Sequence, residues 1–388
     1  MTSKSWIVTL LLSSLHLALG VSNGGIIDDT LLIHPTSILK TIKSEVGEII
    51  DCVDIYKQPA FSHPRLRNHT LQMEPSSYPI GLEPNSTFPS NSSSELNIQS
   101  WHKNGDYCPE GSIPILRSLD EDFPKKHTHP LASSTTNSLA PPGFKAEYAV
   151  AFLPGSYFYG ALGEINVWNP KTLKKELSAS QFWVTDGGGK DIDSVEVGWM
   201  VTAFTNHPTI FVYWTADGYN TGCYNVRCSG FVQTNRKIAL GAFLTPISTY
   251  GGEQHLMGIK VYRDGQGNWW VNVLGQNLGY WPPNLFNGGL RGPASLIEWG
   301  GEVINSNPQG VHTSTQMGSG HFPSESYSRA AYFKNLQYIV DGGGLEDAKD
   351  ITGQATRPEC YDIQVQKPSR EWGSYFYYGG PGLSANCK

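Results

Sequence analysis

A succession of short apolar segments after residue 143 constrains the fold more than any other feature of the sequence. The segments include EYAVAFLPG, TIFVYWTADG, IALGAFLTP and NWWVNVLGQNLGYWP, and each is bounded by Gly, Pro, Asn or Asp. Several alternate apolar and polar residues with period two, as half-buried strands do. The chain contains 42 Gly and 25 Pro, enough for many tight turns. The pattern predicts an antiparallel β-sandwich or barrel, and the lack of a fixed repeat disfavours a propeller.

The first twenty residues have the layout of a secretory signal peptide. Lys4 supplies the positive charge, WIVTLLLSSLHLALG is a short apolar core, and Ala18-Leu19-Gly20 forms a small-x-small cleavage site. A buried N-terminal helix is the alternative interpretation. We therefore expect a secreted, extracellular protein.

Secretion makes the cysteines and the glycosylation motifs interpretable. Six cysteines in an oxidising compartment predict disulfides, and sequence proximity favours three local pairs, Cys52–Cys108, Cys223–Cys228 and Cys360–Cys387. No Cys-x-x-Cys or His-Glu-x-x-His motif is present, so no metal is expected. Three Asn-x-Ser/Thr sequons precede residue 100 and predict glycosylation at Asn68, Asn85 and Asn91.

The region before residue 143 differs from the rest of the chain in composition and in its pattern of apolar residues. PTSILKTIKSE, beginning at Pro35, predicts a short amphipathic helix with Ile38, Leu39 and Ile42 on one face. Residues 117–143 are polar and proline-containing, which is typical of a linker. We expect residues 21–142 to form a small mixed domain with a C-terminal linker, followed by a β-sandwich domain over residues 143–388.

Isolated carboxylates occur beside glycines within the predicted strands. In DSVEVGWMVTA, Glu196 points away from an apolar row, because side chains alternate along a strand. In SLIEWGGEVINS, Glu298 and Glu302 share one face, unless the Gly-Gly pair forms a bulge and changes the register. The pattern alone leaves open which of the two faces Glu196, and solvated surface residues remain an alternative for all three. The glycines are expected to leave open space for a substrate.

A pair of carboxylates can divide acid and base roles, because two such groups close together do not both ionise easily. Such a pair can hydrolyse a peptide bond or a glycosidic bond, and the residues alone do not choose between them. A Gly-x-Ser-x-Gly nucleophile motif is absent, and the cysteines are expected to be bridged. The net charge of −6 gives no basic footprint for nucleic acid.

Long stretches of the sequence resemble the plant neprosin family. They include DCVDIYKQPAFSHPRLRNHTLQMEPSS, WHKNGDYCPEGSIPI, YWTADGYNTGCYNVRCSGFVQTN, WGGEV, TQMGSGHFP and YFYYGGPG, and the likeness extends from about residue 38 to 388. The resemblance implies an N-terminal activation domain and a β-sandwich peptidase domain. It also implies an enzyme similar in type to the glutamic peptidases, which cleaves after proline in acid without a metal or other cofactor.

The resemblance also implies the catalytic residues. The family's Glu-x-Gly-Trp segment corresponds to Glu196, with Val197 where Ala is more usual, and its Trp-Gly-Gly-Glu segment corresponds to Glu302. Glu302 is thereby favoured over Glu298. Trp199 and Trp299 are expected to pack behind the glutamates as support. With Gln316, they are also candidates for substrate binding.

The activation domain of the family is removed to release the enzyme. A proline-specific peptidase could cut its own linker in LAPPGF, so we expect cleavage between Pro142 and Gly143. The expected partners are proline-containing polypeptides and, as an intramolecular inhibitor, the chain's own propeptide. We expect a monomer with no nucleic-acid or membrane partner. A carbohydrate-active or lectin-like β-sandwich, or a non-catalytic wall protein, is the alternative.

Overall fold

The computed structural model describes residues 35–83, 99–102, 106–117, 144–306 and 308–388, all of which lie in one compact unit. The helical elements in this part of the chain are single 3₁₀ turns, and none is long and apolar enough to cross a membrane. They are Pro35–Ser37, Ile55–Lys57, Pro59–Ser62, Pro64–Leu66, Ser100–His102, Gly189–Asp191, Pro283–Leu285, Gly289–Arg291, Pro323–Glu325 and Asp341–Gly343.

The N-terminal part forms a three-stranded antiparallel sheet of β1 (Ile38–Lys43), β2 (Ile49–Asp54) and β3 (Ser112–Leu116), in that order. The helix predicted after Pro35 is therefore wrong. The segment pairs with β2 and its burial alternates along the strand, so β-branched side chains and cross-strand pairing outweigh the helix-like apolar spacing.

Short strands follow from residue 145 to the C-terminus, as the sequence predicts. They are β4 (Lys145–Phe158), β5 (Gly160–Asn166), β6 (Leu177–Asp186), β7 (Asp193–Thr202), β8 (Thr209–Thr215), β9 (Cys223–Tyr224), β10 (Val232–Gln233), β11 (Leu256–Arg263), β12 (Trp269–Val273), β13 (Gln276–Trp281), β14 (Ala294–Asn305), β15 (Ala331–Ile339), β16 (Leu345–Asp347), β17 (Thr352–Ala355), β18 (Asp362–Val365) and β19 (Phe376–Gly379). IALGAFLTP, predicted as a strand, makes only isolated bridges, at Leu240, Phe243 and Leu244.

Two antiparallel sheets make up this part of the molecule. The seven-stranded sheet has the order β17-β4-β14-β6-β7-β8-β9. The nine-stranded sheet has the order β10-β13-β12-β11-β5-β15-β19-β18, with β16 paired to β15. The long strands β4, β14, β6 and β7 are consecutive neighbours, so the centre of the seven-stranded sheet is the most rigidly paired part of the fold.

The two sheets pack face to face around one apolar core. Phe182 of the seven-stranded sheet contacts Trp299 beside it and Phe333 of the nine-stranded sheet. These rings belong to a single buried cluster that also includes Val197 and Trp199. The architecture is therefore the predicted antiparallel β-sandwich, since the inner faces of two sheets supply the core.

The three-stranded sheet and the segment between its strands β2 and β3 pack against the sandwich. Gln58 exchanges hydrogen bonds with the backbone of Gln233, at 2.8 and 3.1 Å. Gln72 donates to Asp264 at 2.7 Å. Val53 and Ile113 of the small sheet belong to the same buried cluster as the sandwich core. The N-terminal part is thus bound by apolar burial as well as by polar contacts.

Three disulfides join the predicted pairs, Cys52–Cys108, Cys223–Cys228 and Cys360–Cys387. The first links β2 to the segment before β3. The second closes the short loop that begins at β9. The third ties the C-terminal residues to the segment before β18. Each part of the molecule therefore carries its own covalent link.

Candidate active site

The register of three central strands brings the candidate glutamates to one face of the seven-stranded sheet. Gln181 on β6 lies directly opposite Gly300 on β14 and opposite Gly198 on β7. Residues directly opposite in neighbouring strands share a face, as do residues two positions apart in one strand. Glu196 and Glu302 therefore lie on the same face as Gln181. This face points away from the sandwich core, and we call it the dyad face.

The Gly300-Gly301 pair does not form a bulge. The pairing of β14 with β4 and with β6 runs without a break from Ile297 to Ile304. The register shift of β14 lies earlier, between Ala294 and Leu296. Glu298 and Glu302 consequently share the dyad face, as the period-two pattern predicts.

The side-chain amide of Gln181 lies between the two glutamates. Its Nε2 donates to Oε2 of Glu196 at 3.3 Å and to Oε2 of Glu302 at 3.2 Å. Both oxygens are within hydrogen-bond reach of one nitrogen, so they lie within about twice that distance of each other. Residues 106 positions apart in sequence are thus brought together only by the sheet.

Hydroxyl groups donate to the other oxygen of each glutamate. Tyr219 and Ser194 donate to Oε1 of Glu196, at 2.6 and 3.0 Å. Tyr148 donates to Oε1 of Glu302 at 3.3 Å. All of these donors are neutral, and each hydrogen bond favours the ionised form of the carboxylate that accepts it, though less strongly than a cationic partner would.

The tyrosines around Glu196 are held in their protonated form. Burial raises the pKa of Tyr213, Tyr219 and Tyr224 well above the usual value, and the negative charge of Glu196 adds to this effect. A tyrosine that does not ionise remains a hydrogen-bond donor at every pH at which the protein is folded. The site therefore holds a fixed set of O–H donors beside its carboxylates.

The loop between β8 and β10 carries two of these tyrosines. Tyr219 stacks on Tyr213 with ring centres 6.0 Å apart, and Tyr224 packs on Tyr213 at 4.6 Å. The Cys223–Cys228 disulfide restrains this loop. The disulfide thereby supports the position of the hydroxyl group that binds Glu196.

The dyad face is closed to solvent in the full-length chain. Glu196, Glu302 and Gln181 have no exposed surface, and Tyr219 is only 2% exposed. A polypeptide substrate could not reach the carboxylates in this form. Access to them requires a rearrangement of the chain.

Glu298 is placed differently from the other two glutamates. It lies opposite Trp183, which in turn lies opposite Glu196, so an indole ring stands in the row between the two carboxylates. It is fully buried on the dyad face. The described hydrogen bonds of the Gln181 amide join Glu196 to Glu302. The geometry therefore favours Glu302 as the partner of Glu196.

Trp199 and Trp299 lie on the core side of the sheet, the position expected for a supporting role and not for a contact with substrate. Both belong to the apolar cluster between the sheets, and the Trp199 indole donates to the backbone oxygen of Asn166 at 3.1 Å. Side chains alternate between the two faces of a sheet along each strand. Trp199 is three residues from Glu196 and Trp299 is three residues from Glu302, so both rings point to the face opposite the glutamates. They support the strands that carry the glutamates from behind.

Gln316, the third substrate-binding candidate, joins two loops. Its Oε1 accepts from the backbone N–H of Lys171 at 3.0 Å, and its side chain packs against Gly320. None of its hydrogen bonds in the described part of the chain reaches a residue of the dyad face. The structure thus gives it an anchoring role in place of a contact with the glutamates.

The glycines beside the glutamates do not leave open space. A Cβ at Gly198 would stand 2.0 Å from the backbone oxygen of Ser180, and one at Gly300 would stand 2.3 Å from that of Ala149. Neighbouring strands fill the positions in which a side chain would begin. The glycines therefore permit close approach of the strands around Gln181, and the expectation of substrate space is wrong.

Gln181 is the residue of the site that sequence reasoning missed. It stands in SASQFWV, where an amide among apolar and aromatic residues is the only local signal. Its importance depends on the pairing of β6 with both β7 and β14, which the sequence does not reveal.

The remaining predicted residues are the glycosylation and processing positions. Asn68 is exposed and accessible to a glycan. Asn85, Asn91, Pro142 and Gly143 lie outside the described residues, as does the signal peptide. Glycosylation, the domain boundary and the cleavage position remain predictions.

Comparisons with known proteins identify two family matches. A model of the neprosin domain matches residues 174–381, and a model of the neprosin activation peptide matches residues 41–146.

Solved structures of low similarity were also found. A scytalido-glutamic peptidase with a transition state analog inhibitor is 12% identical, with 61% of this chain and 98% of that chain covered and a TM-score of 0.36. SCP-B, a member of the eqolisin family in complex with the tripeptide Ala-Ile-His, is 13% identical over 61% of this chain and 98% of that chain, with a TM-score of 0.33. Such TM-scores are too low to bear on the chemistry of this chain.

Proposed function

Because this chain belongs to the neprosin family, we propose that it is a glutamic endopeptidase that cleaves peptide bonds after proline at acidic pH. The observation that carries the proposal is the Gln181 amide nitrogen, which lies within hydrogen-bond reach of both Glu196 and Glu302. Two carboxylates at this separation can act on one water molecule and one peptide bond.

The reaction requires one carboxylate to act as base and the other as acid. The base removes a proton from water as its oxygen bonds to the carbonyl carbon, and the acid gives a proton to the amide nitrogen as the C–N bond breaks. The neutral N–H of Gln181 and the tyrosine hydroxyl groups are suited to stabilise the oxyanion that forms between these steps. Proton transfer of this kind contributes about 10²- to 10⁴-fold to rate.

Acid pH suits this arrangement. Two carboxylates close together resist double ionisation, so one proton is shared between them until the pH rises. The hydrogen bonds described for Glu196 and Glu302 come from neutral groups, which oppose this sharing less than a cationic partner would. Activity is therefore expected to fall as the second carboxyl loses its proton.

The full-length chain is proposed to be a zymogen. Glu196 and Glu302 are fully buried in it, and the activation-peptide region packs against the sandwich. We expect the propeptide to act as an intramolecular inhibitor, and self-cleavage between Pro142 and Gly143 to release the enzyme. N-terminal sequencing after acid treatment tests this, and a mature chain that begins far from Gly143 would refute the cleavage position.

We further propose that the protein is secreted and acts in the cell wall or apoplast, or in the vacuole. Three disulfides suit an oxidising compartment. A fusion of residues 1–20 to a fluorescent reporter is expected to direct the reporter out of the cell. Cytoplasmic retention of the reporter would contradict the proposal.

The decisive experiment compares three glutamine variants on a peptide with a single proline in acidic buffer. Glu196→Gln and Glu302→Gln are each expected to lower kcat at least about 10²-fold, since each removes one proton-transfer group. Glu298→Gln is the matched control, from the same strand and face as Glu302, and should retain most activity. Circular dichroism checks that each variant is folded. If cleavage survives Glu302→Gln but not Glu298→Gln, the catalytic partner of Glu196 is Glu298 and not Glu302. The absence of cleavage by wild type would refute the peptidase function.

A further inference from the structure

A second aromatic cluster lies on the opposite side of the molecule from the dyad face. It consists of Tyr327, Tyr332, Trp372, Tyr375 and Tyr377, which we call the aromatic patch. Tyr332 on β15 lies directly opposite Tyr377 on β19. The next residues along these strands, Phe333 and Phe376, stack on each other within the sandwich core. Alternation along the strands therefore turns the patch outward, on the nine-stranded sheet.

The patch is accessible in the full-length chain. Tyr327 is 54% exposed, and Trp372 and Tyr375 are half-buried over the buried rings of Tyr332 and Tyr377. Exposed groups of large aromatic side chains are a feature of binding surfaces, in which Trp and Tyr contribute much of the affinity.

The rings of the patch are inclined to one another. Tyr327 stands edge-on to Trp372 at 80°, with ring centres 5.5 Å apart. Tyr375 is tilted by 60° from Trp372 on ring centres 5.1 Å apart. Both ring faces and ring edges of Trp and Tyr are thus presented in a small area. Proline-rich segments pack their pyrrolidine rings against aromatic side chains of this kind.

An ion pair holds the central ring of the patch in place. The Lys334 ammonium lies 5.6 Å from the centre of the Trp372 ring and 3.2 Å from a carboxylate oxygen of Glu164. Glu164 is buried beneath the patch. A cation over an indole face stabilises its orientation, and an ordered ring loses less entropy when it binds a ligand.

We propose that the aromatic patch is an exosite for proline-rich segments in the polyproline II conformation. Such segments dock on aromatic-lined grooves because they are already extended and present unpaired backbone carbonyl groups. The Trp372 indole N–H and the tyrosine hydroxyl groups are donors suited to those carbonyl groups. The inference deepens the proposed function, on which it rests, because it assigns a recruiting site to an enzyme that cleaves after proline.

The exosite and the dyad face lie on opposite surfaces of the sandwich. Packed sheets are about 10 Å apart, and side chains extend the distance further, so the two sites are about 20 Å or more apart. At about 3.1 Å per residue, a substrate must continue well beyond six or seven residues to reach both. Only long proline-rich substrates can therefore benefit from the patch.

Binding is tested on the full-length chain with Glu302→Gln, which prevents self-cleavage. In this form the dyad face is buried while the patch is exposed, so a fluorescein-labelled decaproline has access to the patch alone. Fluorescence anisotropy is expected to show binding that Trp372→Ala weakens at least about 10-fold. Tyr327→Ala, at an exposed position that the fold does not require, should weaken it several-fold. Tyr157→Ala removes a tyrosine that is 66% exposed elsewhere and is expected to have no effect.

The proposal is overturned if decaproline does not bind, or if Trp372→Ala and Tyr327→Ala both bind it as well as the parent chain. It is also overturned if cellohexaose binds in a Trp372-dependent manner and decaproline does not, since the patch is then a glycan site.

Kinetic measurements distinguish a failure of the exosite proposal from a failure of the proposed peptidase function. In the processed enzyme, Trp372→Ala is expected to raise KM for a proline-rich substrate of about thirty residues several-fold, while KM for a six-residue peptide is unchanged. An equal rise for both substrates would contradict the exosite. Failure of the parent enzyme to cleave any proline-containing peptide would refute the proposed function, and decaproline binding would still report on the patch.

Discussion

Two buried carboxylate sites lie on opposite sides of the same strands and differ in their partners. Tyr148 of β4 points to the dyad face and donates to Glu302, whereas its neighbour Glu147 points the other way and pairs with His312 at 2.8 Å. His312 supplies a group that can carry positive charge. The donors described for Glu196 and Glu302 are neutral. A cationic partner favours the ionised form of a carboxylate more strongly than neutral donors do, and two neighbouring carboxyl groups resist double ionisation, so a shared proton is easier to keep at the dyad face.

The comparison indicates how one fold keeps structural and reactive carboxylates apart. Both sites are fully buried, so burial alone does not make a carboxylate reactive. Among the described contacts, the two sites differ in whether the partner of the carboxylate can carry a positive charge, and this difference predicts opposite responses to substitution. Loss of a glutamate from the dyad face should remove activity, and loss of Glu147 should remove stability.

The largest effect on stability is expected from Glu147→Gln. In acidic buffer this change leaves a buried imidazolium without its counter-charge, which costs about 3–5 kcal/mol. Chemical denaturation of the Glu302→Gln chain with and without Glu147→Gln measures the loss. Activity per folded molecule, measured in the parent background, should be unchanged. If Glu302→Gln alone destabilised the chain as much as Glu147→Gln does, the distinction between the two sites would be lost.

A second prediction concerns the neutral donor that joins the two glutamates. Gln181→Leu keeps the approximate volume of the side chain and removes the shared N–H, so kcat should fall about 10²-fold with little change in KM. Gln316→Leu is a matched control, because that glutamine joins two loops and should leave kcat within about threefold. Equal losses of kcat in the two variants would indicate that Gln181 supports the folded structure and does not contribute to the chemical step.

The sequence predicts the sandwich and one shared face for Glu298 and Glu302, because both follow from alternation along single strands. It does not predict Gln181, since the position of a residue opposite Gly198 and Gly300 depends on the register of three strands. Each strand is locally consistent with several registers, and only the packed sheet selects one.

Long-range pairing also explains the errors. The segment Ile38–Lys43 has apolar spacing that suits a helix, but its pairing with β2 makes it a strand. IALGAFLTP has the composition of a strand, yet its backbone meets β8 and the N-terminal part only at single bridges. Trp199 and Trp299 lie beside the glutamates in sequence but on the other face of the sheet.

A third prediction uses the titration of His312. Burial disfavours the charged imidazole, but the hydrogen bond and negative charge of Glu147 outweigh burial and the repulsion of Arg357, so the pKa of His312 is raised. Its stabilising effect is therefore complete below the pKa of an unfolded histidine, about 6.5, and is lost as the pH rises through the higher folded value.

The measurement is the difference in unfolding free energy between the Glu302→Gln chain and the same chain with His312→Asn. The difference is expected to be largest near about pH 5 and to shrink toward about pH 8. A difference that grew as the pH rose would mean that His312 is held neutral, and the contrast with the dyad face would fail.

The smallest effect is expected where the activation-peptide region meets the sandwich. The Tyr280 hydroxyl accepts from the backbone N–H of Gln72 and lies 2.8 Å from Nε2 of His69, so its own proton is available to a neutral imidazole whose Nε2 is unprotonated. Burial lowers the pKa of His69. This contact is therefore complete above about pH 6.5 and weakens as the pH falls below it, the opposite sign to His312.

Hydrogen exchange of residues 69–80 in the Glu302→Gln chain tests this opposition. Protection of this segment, corrected for intrinsic exchange, should fall on acidification, because a protonated His69 presents a second donor to the Tyr280 hydroxyl in place of an acceptor. His69→Gln does not titrate and retains an acceptor, so it should reduce the acid-dependent part of the fall. An equal fall in both chains would assign the loosening to other groups. A smaller fall in the variant would mean that protonation of His69 loosens the activation-peptide region in acid. Protonation of His312 has the opposite effect, because it strengthens the pairing with Glu147 in the sandwich.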